Sequence, residues 1–319
     1  MPQPTGRDFT PDIPITNALI GYRNPSFIAD QIFPIVGVAR QTGIIPKLAQ
    51  SPWFRDQALL RAPGTKSVGG GFTVDNTDVF ACNRYSWREE ITDEDRDLAA
   101  GTPYQLELLK SRKAYDAVDL KREVAFAASF FATGKWTAEK AGGTDFTKFS
   151  DYANSSPLLV IAGYRDDMEG RIGQEANVGV IGKQAWVQLR WHPDLIDSIK
   201  YTQVGMVSEQ LAASLLDLSK LLIGRAINTT TPEGTAEASV VYGRVWGKHL
   251  LLAYVTPTPM IGEPTAGLTL TWERVPGAIR YTKRMRDEER EVDIFEANTY
   301  FDQHRTLDAA GTFLLNAAA

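Results

Sequence analysis

Apolar positions are unevenly spaced along this chain, and the spacing predicts its elements. Between Asn24 and Leu48, Phe27, Ile28, Ile32, Phe33, Ile35, Val36, Val38, Ile44 and Ile45 all need burial. Pro25, Pro34 and Pro46, with Gly37 and Gly43, deny the segment a long helix. Residues 1–48 therefore read as an extended apolar arm, expected to find its cover on another surface. Two strand-like runs follow, Phe72–Val74 and Val79–Trp87, split by Asp75-Asn76-Thr77-Asp78. Pro63-Gly64 and Gly69-Gly70-Gly71 precede them. Turn residues between β-rich runs predict a long hairpin over 49–91 that projects from the body and wants a neighbour.

The strongest helical signal comes next. Thr102-Pro103-Tyr104-Gln105 supplies an N-cap, a proline at the first position and a glutamine three residues after the cap. Leu106, Leu109, Ala117, Leu120, Val124, Ala127 and Phe131 then recur at spacings of three and four or their sums, broken at Lys113 and ended by Gly134. A helix from Pro103 to Phe131 would be about 44 Å long, well above the usual length, and reads as a spine with one buried face.

Beyond it the text mixes strands and helices. Residues 134–154 are polar and loop-like, and Pro157–Gly163 reads as a short buried strand or turn. Trp186–Tyr201 reads as a strand running into a helix that starts near Pro193. Ser208 caps a helix with the stripe Leu211, Leu215, Leu218 and Leu222, closed by Gly224. Val240–Trp246 and Leu250–Thr256 read as strands, and Arg290–Phe301 as a late one. No internal repeat or low-complexity tract is present, and the class is α+β.

The chain has 319 residues, 43% hydrophobic and 23% charged, which suits two or three domains with a sizeable core. A formal net charge of −5 argues against tight nonspecific nucleic-acid binding by the whole subunit. It leaves room for a container wall that touches packaged DNA without gripping it. The single cysteine, Cys82, excludes an internal disulfide framework and fits a reducing compartment. The N-terminus carries no secretory pattern, and the longest apolar runs are too short to cross a bilayer, so no membrane association is expected.

Chemical motifs are weak. Gly179-Val180-Ile181-Gly182-Lys183-Gln184 resembles the end of a phosphate loop, but Gln184 stands where Ser or Thr is needed and Asn177 where glycine is needed. Gly69-Gly70-Gly71 lacks the third glycine of a dinucleotide fingerprint, with Val74 at that position. His192, His249 and His304 lie far apart without cysteine partners, against a zinc site. Asp166, Asp167 and Glu169 read as a solvated turn, and Cys82 as a small apolar filler. Asn154-Ser155-Ser156 and Asn228-Thr229-Thr230 match the glycosylation pattern but lack a secretory route. No catalytic, cofactor or metal residue is nominated. Mixed-sign charges gather in two clusters, Arg84 to Arg96 and Lys283 to Glu291. Both fit solvated faces or intersubunit ion pairs that set register; one such pair would join Arg84 or Arg88 to an acid of the second cluster.

The stretch N-P-S-F-I-A-D-Q-I-F-P-I-V-G-V followed by G-I-I-P-K-L resembles the N-terminal arm of tailed-bacteriophage major capsid proteins. Trp191-His192-Pro193-Asp194-Leu195-Ile196-Asp197-Ser198-Ile199-Lys200-Tyr201-Thr202 and the region Glu291–Ala310 resemble the same family. The resemblance implies the Hong Kong 97-type capsid fold. In it, 1–48 is the N-terminal arm and 49–91 the extended β-hairpin loop. Residues 92–173 and 288–319 form the peripheral domain with the spine helix, and 174–287 the axial α/β domain. It implies a structural subunit, not an enzyme, that self-assembles as hexamers and pentamers into an icosahedral shell around a double-stranded DNA phage genome. The subunit would sit in the virion capsid after assembly in the host cytoplasm. A separate scaffolding protein and a portal are implied partners, with a cement protein optional. The separate scaffold is expected because little sequence precedes the arm. Packaged DNA would lie on the inner face without sequence specificity. Phe27, Ile32, Phe33, Lys66, Arg84, Trp87, Arg88, Glu89, Arg286, Glu288 and Glu289 are the expected subunit-interface residues, and Gly37 and Gly69–Gly71 the candidate hinges. Lys66 is also the one lysine a Lys–Asn crosslink could use, but no activating carboxylate is recognisable beside it. The alternatives are an encapsulin-like nanocompartment shell, another phage structural protein of the decoration or tail type, and an enzyme, which the missing motifs weigh against.

Overall fold

The computed structural model describes residues 25–319 apart from 46, 49–53, 68, 72, 73, 76, 100–104, 201–206, 260–263 and 273–278; at 47, 48, 74 and 75 it describes backbone alone. Its axis is helix α3, Leu106–Phe130, following α1 (Ala29–Ile32) and α2 (Asp93–Ala99). The expected cap residues Thr102, Pro103 and Tyr104 lie outside the described residues, and Gln105 stands at the N-cap without a side-chain cap bond.

The buried face of α3 is not the apolar stripe read from the sequence. Ser111, Ala114, Tyr115, Val118, Asp119, Arg122, Glu123, Phe126 and Phe130 are buried, whereas Leu109 is 58% exposed. Ala117, Leu120, Val124 and Ala127 are only half-buried, and Phe131 alone of the predicted stripe is covered. The stripe failed because three buried polar side chains, Asp119, Arg122 and Glu123, find partners across the interface, which makes their burial tolerable.

Two sheets flank this helix. The first contains β1 (Ile35–Val38), β13 (Gly267–Trp272), β15 (Val292–Arg305) and β14 (Arg280–Asp287) in that order, with β6 (Asn83–Thr92) on the other edge of β15. Strand β15 pairs antiparallel with β14 and β6 over its first half and with β13 over its second. The second sheet runs β7 (Ala138–Ala141), β16 (Gly311–Leu315), β12 (Leu250–Ala253), β8 (Val178–Gly182) and β9 (Lys220–Gly224). Every residue of β8 and β12 is buried, as expected of central strands covered on both faces. Helices α4 (Pro157–Ile172), α5 (Lys183–Arg190), α6 (Pro193–Ile199) and α7 (Glu209–Leu215) accompany this sheet. The architecture is α+β.

Several local expectations are corrected. Pro157–Gly163 opens helix α4, with Pro157 buried at its first turn, so Asp166, Asp167 and Glu169 are exposed on a helix and not in a turn. Trp186 lies in α5, not in a strand. Ser208 does cap α7, accepting from the Leu211 amide at 3.2 Å, but that helix ends at Leu215 and Leu222 belongs to β9. Two residues of the second sheet show why glycine is needed there: a Cβ at Gly182 would lie 2.1 Å from the Gly247 carbonyl, and one at Gly224 2.1 Å from the Trp246 ring.

The hairpin is also differently made. Strand β5 (Val79–Ala81) pairs with β2 (Thr42–Ile44), and β4 (Val74–Asp75) with β3 (Lys47–Leu48). The end of the arm is thus one leg of a two-stranded ribbon: of the two runs expected to pair with each other, Phe72 and Thr73 lie outside the described residues, Val74 pairs with Leu48, and Val79–Ala81 pairs with β2. Gly37 is a regular ladder residue opposite Thr271, not a hinge. The expected boundary at 287/288 divides the β14–β15 hairpin, and β16, within the 288–319 stretch expected in the peripheral domain, pairs with β12 and β7 of the second sheet.

Candidate assembly surfaces and the clamp beneath them

The residues nominated from the arm are covered inside their own subunit. Ile32 is 0% and Phe33 1% exposed, and Phe33 packs on Phe126 and Phe130 at centroid distances of 5.1 and 5.0 Å. Phe27 is half-buried against the same core. The expectation that Ile32 and Phe33 reach a neighbour is therefore overturned: their apolar surface is already spent on α3.

One carboxylate holds the arm in place. Glu123 Oε1 accepts the backbone amides of Ile28 and Ala29, and its Oε2 accepts the Trp246 indole N–H at 2.9 Å. Arm, spine helix and the loop before β12 meet at this one side chain, which is 1% exposed. Burial pushes the Glu123 carboxyl up to about 7, against the pull of its three hydrogen-bond donors. Its neighbours extend the clamp. Arg122 pairs with Asp30 of the arm and donates to Thr299 Oγ1 of β15 at 3.0 Å. Asp119 pairs with Arg280 of β14, and burial outweighs that arginine to raise its carboxyl to about 6. Sequence reasoning missed this set because it read the charged residues of α3 as the wet face. The visible signal was the apolar stripe's break at Lys113.

Above the clamp, the two charge clusters join within one subunit. The antiparallel register puts Thr92 opposite Val292 and Arg84 opposite Tyr300, while Asp287 faces Val292 from β14. Arg286 binds Asp93 in bidentate fashion at 2.7 and 2.6 Å, and this bond holds the Asp93 carboxyl below its usual range. Buried Asp293 accepts from Arg284 at 2.8 Å and from Arg96. Arg290 reaches Glu90 at 2.8 Å, and Arg84 reaches Asn298 at 2.8 Å and also Glu296. Glu89, almost fully buried, accepts from Trp87 at 2.9 Å and pairs with Lys113 at 2.8 Å. Arg84, one of the two arginines expected to pair across subunits, already has partners on β15 of its own chain.

What remains open is the outer rim. Trp87 is 50% exposed and the Arg88 side chain 65%, with only a 3.4 Å contact to Glu90. Lys66, Glu288 and Glu289 are exposed. The loop between β3 and β4 also presents Leu59 and Leu60 to solvent.

A serine–histidine–aspartate set does occur, and its geometry excludes a nucleophile. Ser155 Oγ lies 2.8 Å from His192 Nε2, and Asp194 Oδ2 lies 3.9 Å from Nδ1. Nδ1 accepts the Asp194 backbone amide at 3.2 Å, so the ring proton resides on Nε2 and is donated to Ser155. Ser155 in turn donates to the Asp151 carbonyl. A nucleophilic serine needs the opposite polarity, with Nε2 accepting. His192 is fully buried and caps α6. Cys82 is buried as well, its thiol directed at the Leu270 carbonyl at 3.6 Å, and burial pushes it up to about 11. Among the described residues no three His, Cys, Asp or Glu side chains converge to hold a metal, and no helix is long and apolar enough to cross a membrane.

No family model matches the chain. Over 270 residues it is 27% identical to the major capsid protein of Burkholderia phage BcepMu, spanning 80% of this chain and 81% of that protein. Over 295 residues it is 28% identical to the major capsid protein of Pseudomonas phage JBD67, spanning 85% and 86%. A phage-related protein from Bordetella bronchiseptica RB50 superposes with a TM-score of 0.74 at 19% identity, covering 97% of this chain and 98% of that one. The capsid of cyanophage P-SCSP1u gives 0.57 at 10% identity over 91% and 88%. The SrpI encapsulin complex of Synechococcus elongatus PCC 7942 gives 0.51 at 10% identity over 92% and 88%.

Proposed function

We infer that this chain, a homologue of the major capsid proteins of tailed phages with the Hong Kong 97-type fold, is the structural subunit of a phage capsid shell. Its role is structural and not catalytic. The observation that carries this reading is coverage: named capsid proteins align with it over 80% and 85% of its length, so the whole subunit corresponds and not one borrowed module.

The finer assignments extend that reading. The first sheet with α3 forms the peripheral domain, the second sheet with α4–α7 the axial domain, and the ribbon of 42–48 with 74–81 the stem of the extended loop. Subunits join as hexamers and pentamers around packaged double-stranded DNA, with a scaffolding protein and a portal as separate partners and a cement protein optional. Assembly takes place in the host cytoplasm. Phe27, Lys66, Trp87, Arg88, Glu288 and Glu289 retain accessible surface for intersubunit contact. Arg84, Glu89 and Arg286 contribute by fixing the strands that present it. Many weak interfaces made strong by closure supply the stability of such a shell.

Negative-stain electron microscopy beside size-exclusion chromatography tests the reading. Closed shells, tubes or hexameric rings are expected. A monomer that never assembles, even with its neighbouring gene products, overturns it. The encapsulin-like reading shares the fold; particles that enclose a cargo enzyme and no DNA would favour it.

A further inference from the structure

Among the described residues, strand β6 has a partner on one edge only. β15 covers one side over the full register from Thr92↔Val292 to Asn83↔Phe301, and no described strand lies on the other. Its ends are pinned, the Cys82 amide to the Gln41 carbonyl at 2.9 Å and the Asp93 amide to the Glu291 carbonyl at 3.1 Å. Between them Arg84, Ser86, Trp87 and Arg88 are exposed. A ten-residue edge with free backbone donors and acceptors is a template for another strand.

We propose that the open edge of β6 pairs antiparallel with β6 of a second copy, across a two-fold axis through Trp87. The identity of the partner as a second copy rests on the shell reading, and the register rests on charge. A two-fold axis perpendicular to the sheet keeps each residue on its own face, so the axis must pass through one residue of the strand. Centred on Trp87, Arg84 stands opposite Glu90 of the second copy, twice by symmetry, and Ser86 opposite Arg88. Moving the axis to Ser86 sets Arg84 against Arg88. Moving it to Arg88 sets that arginine against itself, and moving it to Glu89 sets two carboxylates together. Directly opposed like charges are destabilising and opposite charges stabilising, so the Trp87 register wins. Another open edge of this sheet among the described residues, β14, is a poorer partner: it carries Arg280, Lys283, Arg284 and Arg286, which would meet the arginines of β6.

Cysteine crosslinking tests the contact cleanly, since the one native thiol, Cys82, is buried. Trp87→Cys places identical thiols across the axis, and Ser86→Cys combined with Arg88→Cys places two unlike pairs in register without removing the tryptophan. Mild oxidation of the full-length protein should shift both variants from one-chain to two-chain mass on non-reducing gels, while Leu109→Cys, exposed on α3, stays at one-chain mass. Particles visible by electron microscopy in which neither variant crosslinks overturn the contact and leave the shell reading standing. Crosslinked dimers that never form particles uphold the contact and remove the shell. Equal crosslinking at Leu109→Cys marks random collision and overturns the proposal.

Discussion

The indole N–H of Trp246 donates to Glu123 at 2.9 Å, and the other oxygen of the same carboxylate accepts the amides of Ile28 and Ala29 at the start of α1. One side chain of the spine helix therefore ties the arm to the second sheet.

Removing that acceptor should be costly. Glu123→Ala strands three buried donors at about 1–3 kcal/mol each, so denaturant unfolding should show a loss of roughly 3 kcal/mol or more. Trp246→Phe removes one donor and leaves the carboxylate its two amides, so its loss should be clearly smaller. Equal losses would show that the carboxylate does not organise the joint.

The same group sets a pH dependence. Glu123 and Asp119 are raised from ordinary values of 4.5 and 3.8 to about 7 and about 6. The folded protein holds these protons where the unfolded chain has released them. Their contribution to stability is full below about pH 4 and fades as pH rises through 6 and then 7. His192 works the other way: burial lowers it, so its contribution is present above its ordinary 6.5 and is lost as pH falls below that value. Glu123→Gln should flatten the fall in stability between pH 5.5 and 8. Unfolding midpoints of parent and variant at both pH values measure it, and parallel lines would refute it.

Asp293 is buried among Arg96, Arg284 and Arg286, whereas Arg88 meets water. Asp293→Ala should cost about 1–2 kcal/mol, a figure reduced because the arginines are partly solvated. Arg88→Ala should leave monomer stability within roughly 0.5 kcal/mol. Thermal melts of unassembled protein compare the two, and a larger loss at Arg88 would contradict the burial argument.

Two glycines should behave oppositely. Gly182→Ala drives a methyl into the Gly247 carbonyl, with nothing flexible to yield, and should lower the melting temperature sharply. Gly163, exposed inside α4 with no atom near its virtual Cβ, should gain about 0.5–1 kcal/mol as alanine. Circular dichroism melts of the pair give the comparison.

Local chemistry was legible from the sequence alone. It marked the spine helix and its end near Phe131, the helix start near Pro193, the cap at Ser208, the late strand, the α+β class and the wording of a capsid subunit. Each depends on spacing or on a residue's own backbone preferences, which neighbours in the chain decide. Tertiary structure alone decided which face of α3 is buried. Asp119, Arg122 and Glu123 look wet by pattern and are buried because Arg280, Asp30, Thr299, the arm amides and Trp246, all distant in sequence, satisfy them. It also decided that Ile32 and Phe33 serve their own core, that residues 42–44 pair with 79–81 and 47–48 with 74–75, and that Arg84 finds Glu296 in the same chain. Partner choice in strands and buried ion pairs is a long-range matter of register and desolvation, and periodicity along the chain carries no information about either.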